Sequence, residues 1–178
     1  MTGRNSLSNV VARGVLVALD AAKKCQAVTL KLIAGTTKEG IEHVEPYGFT
    51  SAAQDGAEAV VLFLGGDRAH GVALAVGDRR YRLQGLKRGE VALYSDEGDS
   101  IILKRDNKIE VNTSVFTVNA KEKIAFNTPL IEASGNFKAA GDVSDKTGSM
   151  YKIRMTYNGH THPGDSGGTT QQPNQAMN

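Results

Sequence analysis

His160 and His162 stand in the string Tyr157-Asn158-Gly159-His160-Thr161-His162-Pro163-Gly164 near the C-terminal end. They are two of the four histidines in the chain. On extended backbone, residues i and i+2 project from one face and the residue between them projects away. One chain therefore presents two imidazoles side by side, as metal ligands, as a catalytic pair, or as an exposed pair with no role. Two ligands rarely complete a protein metal site, and no other ligand cluster lies nearby in sequence. Three copies around an axis would supply six nitrogens, enough for an octahedron. Structural zinc is nearly always tetrahedral, so an all-imidazole octahedron points instead to iron, nickel or cobalt.

Other chemistry is weaker. Asp165 and Ser166 beside His162 contain the residue types of a triad, and Gly164-Asp165-Ser166-Gly167-Gly168 matches the nucleophile string of serine proteases. The spacing is too local, however, and neither a nucleophile elbow nor the upstream His and Asp contexts of a protease are present. No enzyme is expected. Arg79-Arg80-Tyr81-Arg82 with Lys87-Arg88 is the best cue for a nucleic acid, since Arg and Tyr grip single strands. Asp67, Asp78 and Glu90 are interleaved and aromatics are few, which favours a solvated or intersubunit face. No nucleic-acid partner is expected. His43 and His70 are isolated and read as ordinary core or surface histidines. Gly65-Gly66-Asp67 is a turn without the Lys-Ser/Thr of a phosphate loop.

The elements that must position the histidine pair follow from composition and pattern. The chain has 178 residues, 40% hydrophobic, with 6% aromatic, no Trp, 20 Gly and 4 Pro. Few large apolar side chains and many glycines imply a thin core, or one completed by other chains. The net charge of +2 gives no push toward nucleic acid or an anionic membrane. A single cysteine, Cys25, excludes an intrachain disulfide and fits folding in a reducing cytosol. The N-terminal residues lack a long apolar run, so no secretory signal is expected, and no stretch is long enough for a membrane helix.

In the first half, Val15, Val17 and Leu19 alternate, as do Val28, Leu30 and Leu32, and Val72, Leu74 and Val76; Val60 to Leu64 is denser. Such period-two runs bounded by Gly, Asp and Lys predict half-buried antiparallel strands. Roughly five strands in about the first 90 residues suggest a small barrel of OB-like type. A short helix over Val11 to Leu19 is the alternative, opposed by Gly14 and the β-branched residues.

The second half carries a repeat. Ile109-Glu110-Val111-Asn112, Phe116-Thr117-Val118-Asn119, Ile124-Ala125-Phe126-Asn127, Ile131-Glu132-Ala133-Ser134 and Phe137-Lys138-Ala139-Ala140 each begin apolar-any-apolar and end on a small or polar residue. Repeats mean stacked, nearly one-dimensional architecture. Rungs this short cannot hold a core in one chain, so an intertwined trimer suits them. A β-meander or sheet edge within one chain remains the alternative. A heptad coiled coil is disfavoured by the Thr, Asn, Val and Gly content. Met150 to Tyr157 predicts one more strand, and the tail after Gly164 has the composition of a disordered segment.

Tyr47-Gly48-Phe49-Thr50-Ser51, Gly56-Ala57-Glu58-Ala59-Val60, Gly66-Asp67-Arg68 and Gly89-Glu90-Val91-Ala92-Leu93-Tyr94, in that order, resemble the Mu-type baseplate assembly protein V family, the central spikes of contractile-tailed phages. Tyr157-Asn158 with His160-Thr161-His162 is similar to the tip motif of the same spikes. The resemblance spans essentially the whole chain. It implies an all-β homotrimer: an N-terminal OB-fold barrel (1–92), an intertwined triple-stranded β-helix (93–157) and a pointed tip (158–178). It also implies one iron ion per trimer, held by His160 and His162 of all three chains, with the residues after Pro163 folded back along the tip. The implied role is a needle in the virion baseplate, made in the host cytoplasm. Its N-terminal domain meets tail-tube and baseplate proteins, and its tip pierces the host outer membrane. The alternative is a trimeric module whose tip binds a receptor or glycan.

Overall fold

The computed structural model describes residues 10–33, 35–164 and 166–177. The chain divides into two compact units, Met1–Val118 and Asn119–Asn178.

The first unit holds a closed barrel of five strands, β1 (Val11–Asp20), β2 (Gln26–Leu32), β3 (Thr37–His43), β4 (Glu58–Phe63) and β5 (Gly71–Gly77). Their order around the barrel is β1-β2-β3-β5-β4, with β4 returning to β1. All pairs are antiparallel except β3 with β5. Leu16, Val28, Leu30, Val61 and Phe63 are fully buried, and removing each from water contributes about 1.5–3 kcal/mol. Ile41, Ala57, Ala59 and Ala73 complete this core.

The expected barrel is present, and β2 buries the predicted Val28, Leu30 and Leu32. Two strands turn partly the other way, although the predicted Leu19 and Val76 do pack against the core. In β1 the interior takes Gly14 and Leu16, while Val15 and Val17 are 44% and 47% exposed. In β5 the interior takes Ala73, and Leu74 is exposed. The reason is space. A Cβ on Gly14 would lie 3.1 Å from both the Leu32 side chain and the Lys31 carbonyl. The close approach at this point favours glycine, and strand alternation from Gly14 then carries Leu16 inward and Val15 and Val17 outward. A bulge between Leu16 and Ala18 then shifts the register within β1.

A second sheet follows, β6 (Val91–Tyr94), β7 (Ser100–Leu103) and β8 (Ile109–Asn112), an antiparallel meander. Asp106 and Asn107, both with positive φ, form its second turn, a conformation these short polar residues tolerate. The pairing aligns Val91 with Leu103 and Ile109, and Leu93 with Ile101 and Val111. These six side chains line one face, and all six are exposed. On the other face Glu110 binds Lys104 at 2.8 Å and Lys108 at 3.1 Å. The two ammonium groups and the Asn112 amide hold its carboxyl at about 2, well below the ordinary range.

The remaining repeat units run on without pairing into strands among the described residues. Phe116, Val118, Ile124, Phe126, Ile131 and Phe137 are all exposed. No described residue after Ile102 is buried.

Among the described residues the second unit contains one helix, α1 (Met150–Gly159), where one more strand is expected over Met150 to Tyr157. Ser149 caps it, its hydroxyl accepting from the Lys152 amide at 3.2 Å. A helix satisfies its own backbone groups, whereas a lone strand requires a neighbour. Within a single chain the helix therefore wins, although strand-like spacing leaves it without a buried face.

Candidate functional site

The histidine pair sits where α1 ends. His160 is the C-terminal capping residue, with extended backbone at φ −74° and ψ 151°. Its Nδ1 lies 2.6 Å from the Tyr157 carbonyl oxygen. A carbonyl only accepts, so Nδ1 carries the proton and Nε2 is left with the free lone pair. The Tyr157 ring lies beside the imidazole at 5.4 Å between centroids. Thr161 separates the two histidines, and the His160 and His162 rings lie 4.9 Å apart at an interplanar angle of 88°. The side-by-side placement expected from the i, i+2 spacing is thus present.

His162 is fastened through its backbone. Its amide donates to the Thr170 hydroxyl at 2.8 Å, and the Thr170 amide donates back to the His162 carbonyl at 2.8 Å. Between these residues Gly164 donates to the Gly168 carbonyl at 2.7 Å, and Gly167 adopts positive φ. Farther out, the Asn158 side-chain amide brackets the backbone of Met177. Its nitrogen donates to the Met177 carbonyl at 3.2 Å, and its oxygen accepts from the Met177 amide at 2.8 Å. The tail thus folds back on the histidine loop, despite a composition that in isolation reads as disordered. Asp165, considered beside Ser166 and His162 as a triad, lies outside the described residues.

The donor set decides what this site can hold. Among the described residues, no three His, Cys, Asp or Glu side chains of one chain come together as a metal cage. His160 and His162 offer two imidazoles, with Nε2 of His160 left free by the Tyr157 contact, a donor pair that only further ligands could complete into a metal site. Asn158 enters the sequence reading only as part of the tip motif, and Thr170 and Met177 not at all. Their contacts span up to 19 residues, and no local pattern pairs an asparagine with a backbone that far away.

The other candidates resolve into local structure. His43 is 8% exposed, opposite Gln26 in the β2–β3 ladder. His70 pairs with Asp67 at 2.8 Å, and the hydrogen bond from the Ala69 amide, followed by that contact, holds the Asp67 carboxyl below its ordinary range. In the basic stretch, Arg79 binds Glu58 at 3.1 Å, and Glu58 also takes Arg13. Arg80 binds Asp78 at 2.6 Å, which lowers the carboxyl, and donates to the Asp55 carbonyl at 2.8 Å. Arg79 and Arg80 therefore serve the barrel's own carboxylates.

Comparison with known proteins places this architecture. The profile of the family described as Bacteriophage Mu Gp45, N-terminal, matches residues 13–80, which cover all five barrel strands except the first two residues of β1. The chain is 30% identical over 171 residues to the baseplate puncturing device gp45 of Escherichia phage Mu, spanning 90% of this chain and 87% of that protein. It is 28% identical over 144 residues to the Mu-like prophage FluMu protein gp45 of Haemophilus influenzae, spanning 78% and 79% of the two chains. The barrel, the repeat and the histidine loop all fall in a protein that belongs to the Mu Gp45 family of phage baseplate proteins.

Proposed function

We propose that this chain forms the central spike of a contractile phage tail. As a Gp45-family member it is a structural component of the virion baseplate, not an enzyme. In this reading it is a homotrimer whose OB-type barrel caps the tail tube and meets other baseplate proteins. Its second half is an intertwined triple-stranded β-helix, and its tip is driven mechanically through the host outer membrane. The name of the phage Mu relative, a baseplate puncturing device, supports that role.

One observation carries the proposal. Six aliphatic side chains line one face of the second sheet, and the repeat continues with exposed Phe116, Ile124, Ile131 and Phe137. Monomeric proteins rarely leave a large apolar face like that of the second sheet uncovered. It is half of a core, of the kind that obligate interfaces complete. Three copies would bring the apolar faces onto one axis, and six imidazoles to its end. The metal would supply a cross-link among three chain ends, with His160 and His162 as its ligands and Nε2 of His160 the available donor. Iron suits such a set better than zinc. Interlocked rungs must fail together, which gives the kinetic stability that a piercing device needs.

Solution mass and metal analysis of the purified protein test this together. The expected result is three chains and one iron per assembly, with the His160→Ala/His162→Ala double variant keeping the mass and losing the iron. A monomeric mass overturns the trimer, and a metal-free trimer overturns the clasp.

A further inference from the structure

We infer that the C-terminal tail is a strap that positions the metal-binding loop, with Asn158 and Thr170 as its two fasteners. This inference rests on the metal reading of His160 and His162.

The geometry is specific. Thr170 exchanges two hydrogen bonds with the backbone of His162, both 2.8 Å, and Asn158 exchanges two with the backbone of Met177. Asn158 stands two residues before the first histidine, so the second fastening closes a loop from Asn158 to Met177 that contains both ligands. An asparagine amide is suited to this, since it offers one donor and one acceptor in the pattern of a peptide group. The tail is polar and none of its described residues is buried, so its order rests on these directed contacts and not on a core. Closing a loop of this length is entropically unfavourable, and that cost falls on folding instead of on metal binding.

The consequence concerns the ligands. The Tyr157 carbonyl assigns the tautomer and orientation of His160, while Thr170 sets the backbone from which His162 projects. Groups behind the ligands commonly change metal affinity 10–100-fold when removed. Thr170 and Asn158 are positioning residues in this sense. Neither is a ligand.

The test uses the full-length assembly stripped of metal, with cobalt(II) as the probe and its visible absorption as the readout. Thr170→Val keeps the side-chain shape and removes the hydroxyl acceptor. Asn158→Ala removes both tail contacts. Each is expected to weaken cobalt binding roughly 10–100-fold while the solution mass stays that of the parent. Thr170→Ser is expected to restore parental affinity, a rescue that general loosening of the tail would not produce. Parental affinity in Thr170→Val overturns the strap, whatever Asn158→Ala does to assembly. A parent protein that binds no cobalt overturns the metal reading itself, and the positioning role with it.

Discussion

The barrel and the C-terminal half solve the same problem in opposite ways. The barrel closes its sheet on itself, so every strand has two neighbours and Leu16, Leu30, Val61 and Phe63 lose contact with solvent inside one chain. Beyond Ile102 the apolar residues recur as regularly, yet none of the described ones is buried. Periodicity alone therefore does not make a core; closure does. What differs is where the neighbour comes from: the barrel carries it in the same chain, and in the proposed trimer the repeat takes it from two other chains.

Two phenylalanines break or sharpen that contrast most strongly. Phe63 is fully buried, and Phe63→Ala is expected to destabilise the barrel by about 3–5 kcal/mol. Phe137 is 80% exposed in the single chain, and Phe137→Ala would there stay within about 0.5 kcal/mol. In a trimer the same change removes three packed rings, so the assembly should melt or dissociate at clearly lower temperature. Thermal melting followed by solution mass distinguishes the outcomes. An unchanged melt for Phe137→Ala would mean that the repeat has no hidden partner.

A smaller effect tests what holds the second unit without a core. Ser149 caps α1 and its hydroxyl also helps hold Asp142 below the ordinary carboxylate range. Ser149→Ala is expected to cost about 1 kcal/mol of local helix stability. Hydrogen exchange at the Lys152 amide should quicken while the barrel amides keep their protection. Loss of protection in the barrel as well would show the two regions to be one cooperative body.

The smallest effect concerns Glu110, on the opposite face of the second sheet from the exposed aliphatic side chains. Its folded pKa of about 2 lies below the ordinary 4.5, so the stabilisation from the carboxylate is complete above about 4.5. It is lost as the pH falls toward 2. The Glu110 carboxyl resonance should titrate near the lower value, and Lys104→Ala should move the midpoint upward. A parental midpoint already at 4.5 would remove the Lys104–Glu110 pair from the account.

Legibility varied with how one-sided each segment is. In β2, Thr29 and Lys31 alternate with apolar residues, and one face is unambiguous. In β1, Val15 and Val17 compete with Leu16, so both faces read as apolar, and the close approach at Gly14 decides which one turns inward. In β3, Thr37-Lys38-Glu39-Gly40-Ile41-Glu42-His43 buries only Ile41 and His43 and leaves almost no pattern to find. Over Met150–Gly159 the spacing is that of a strand, but no described strand pairs with it, and the backbone turns to its own hydrogen bonds.

Sequence alone sufficed for the barrel class, the repeat and the adjacency of His160 and His162, because each depends on spacing along a few residues. Tertiary structure decided which faces of β1 and β5 point inward, the helix before the histidines, and the fastening of the tail through Asn158 and Thr170. Those depend on volumes and partners that meet across long stretches of chain, and no local period encodes them.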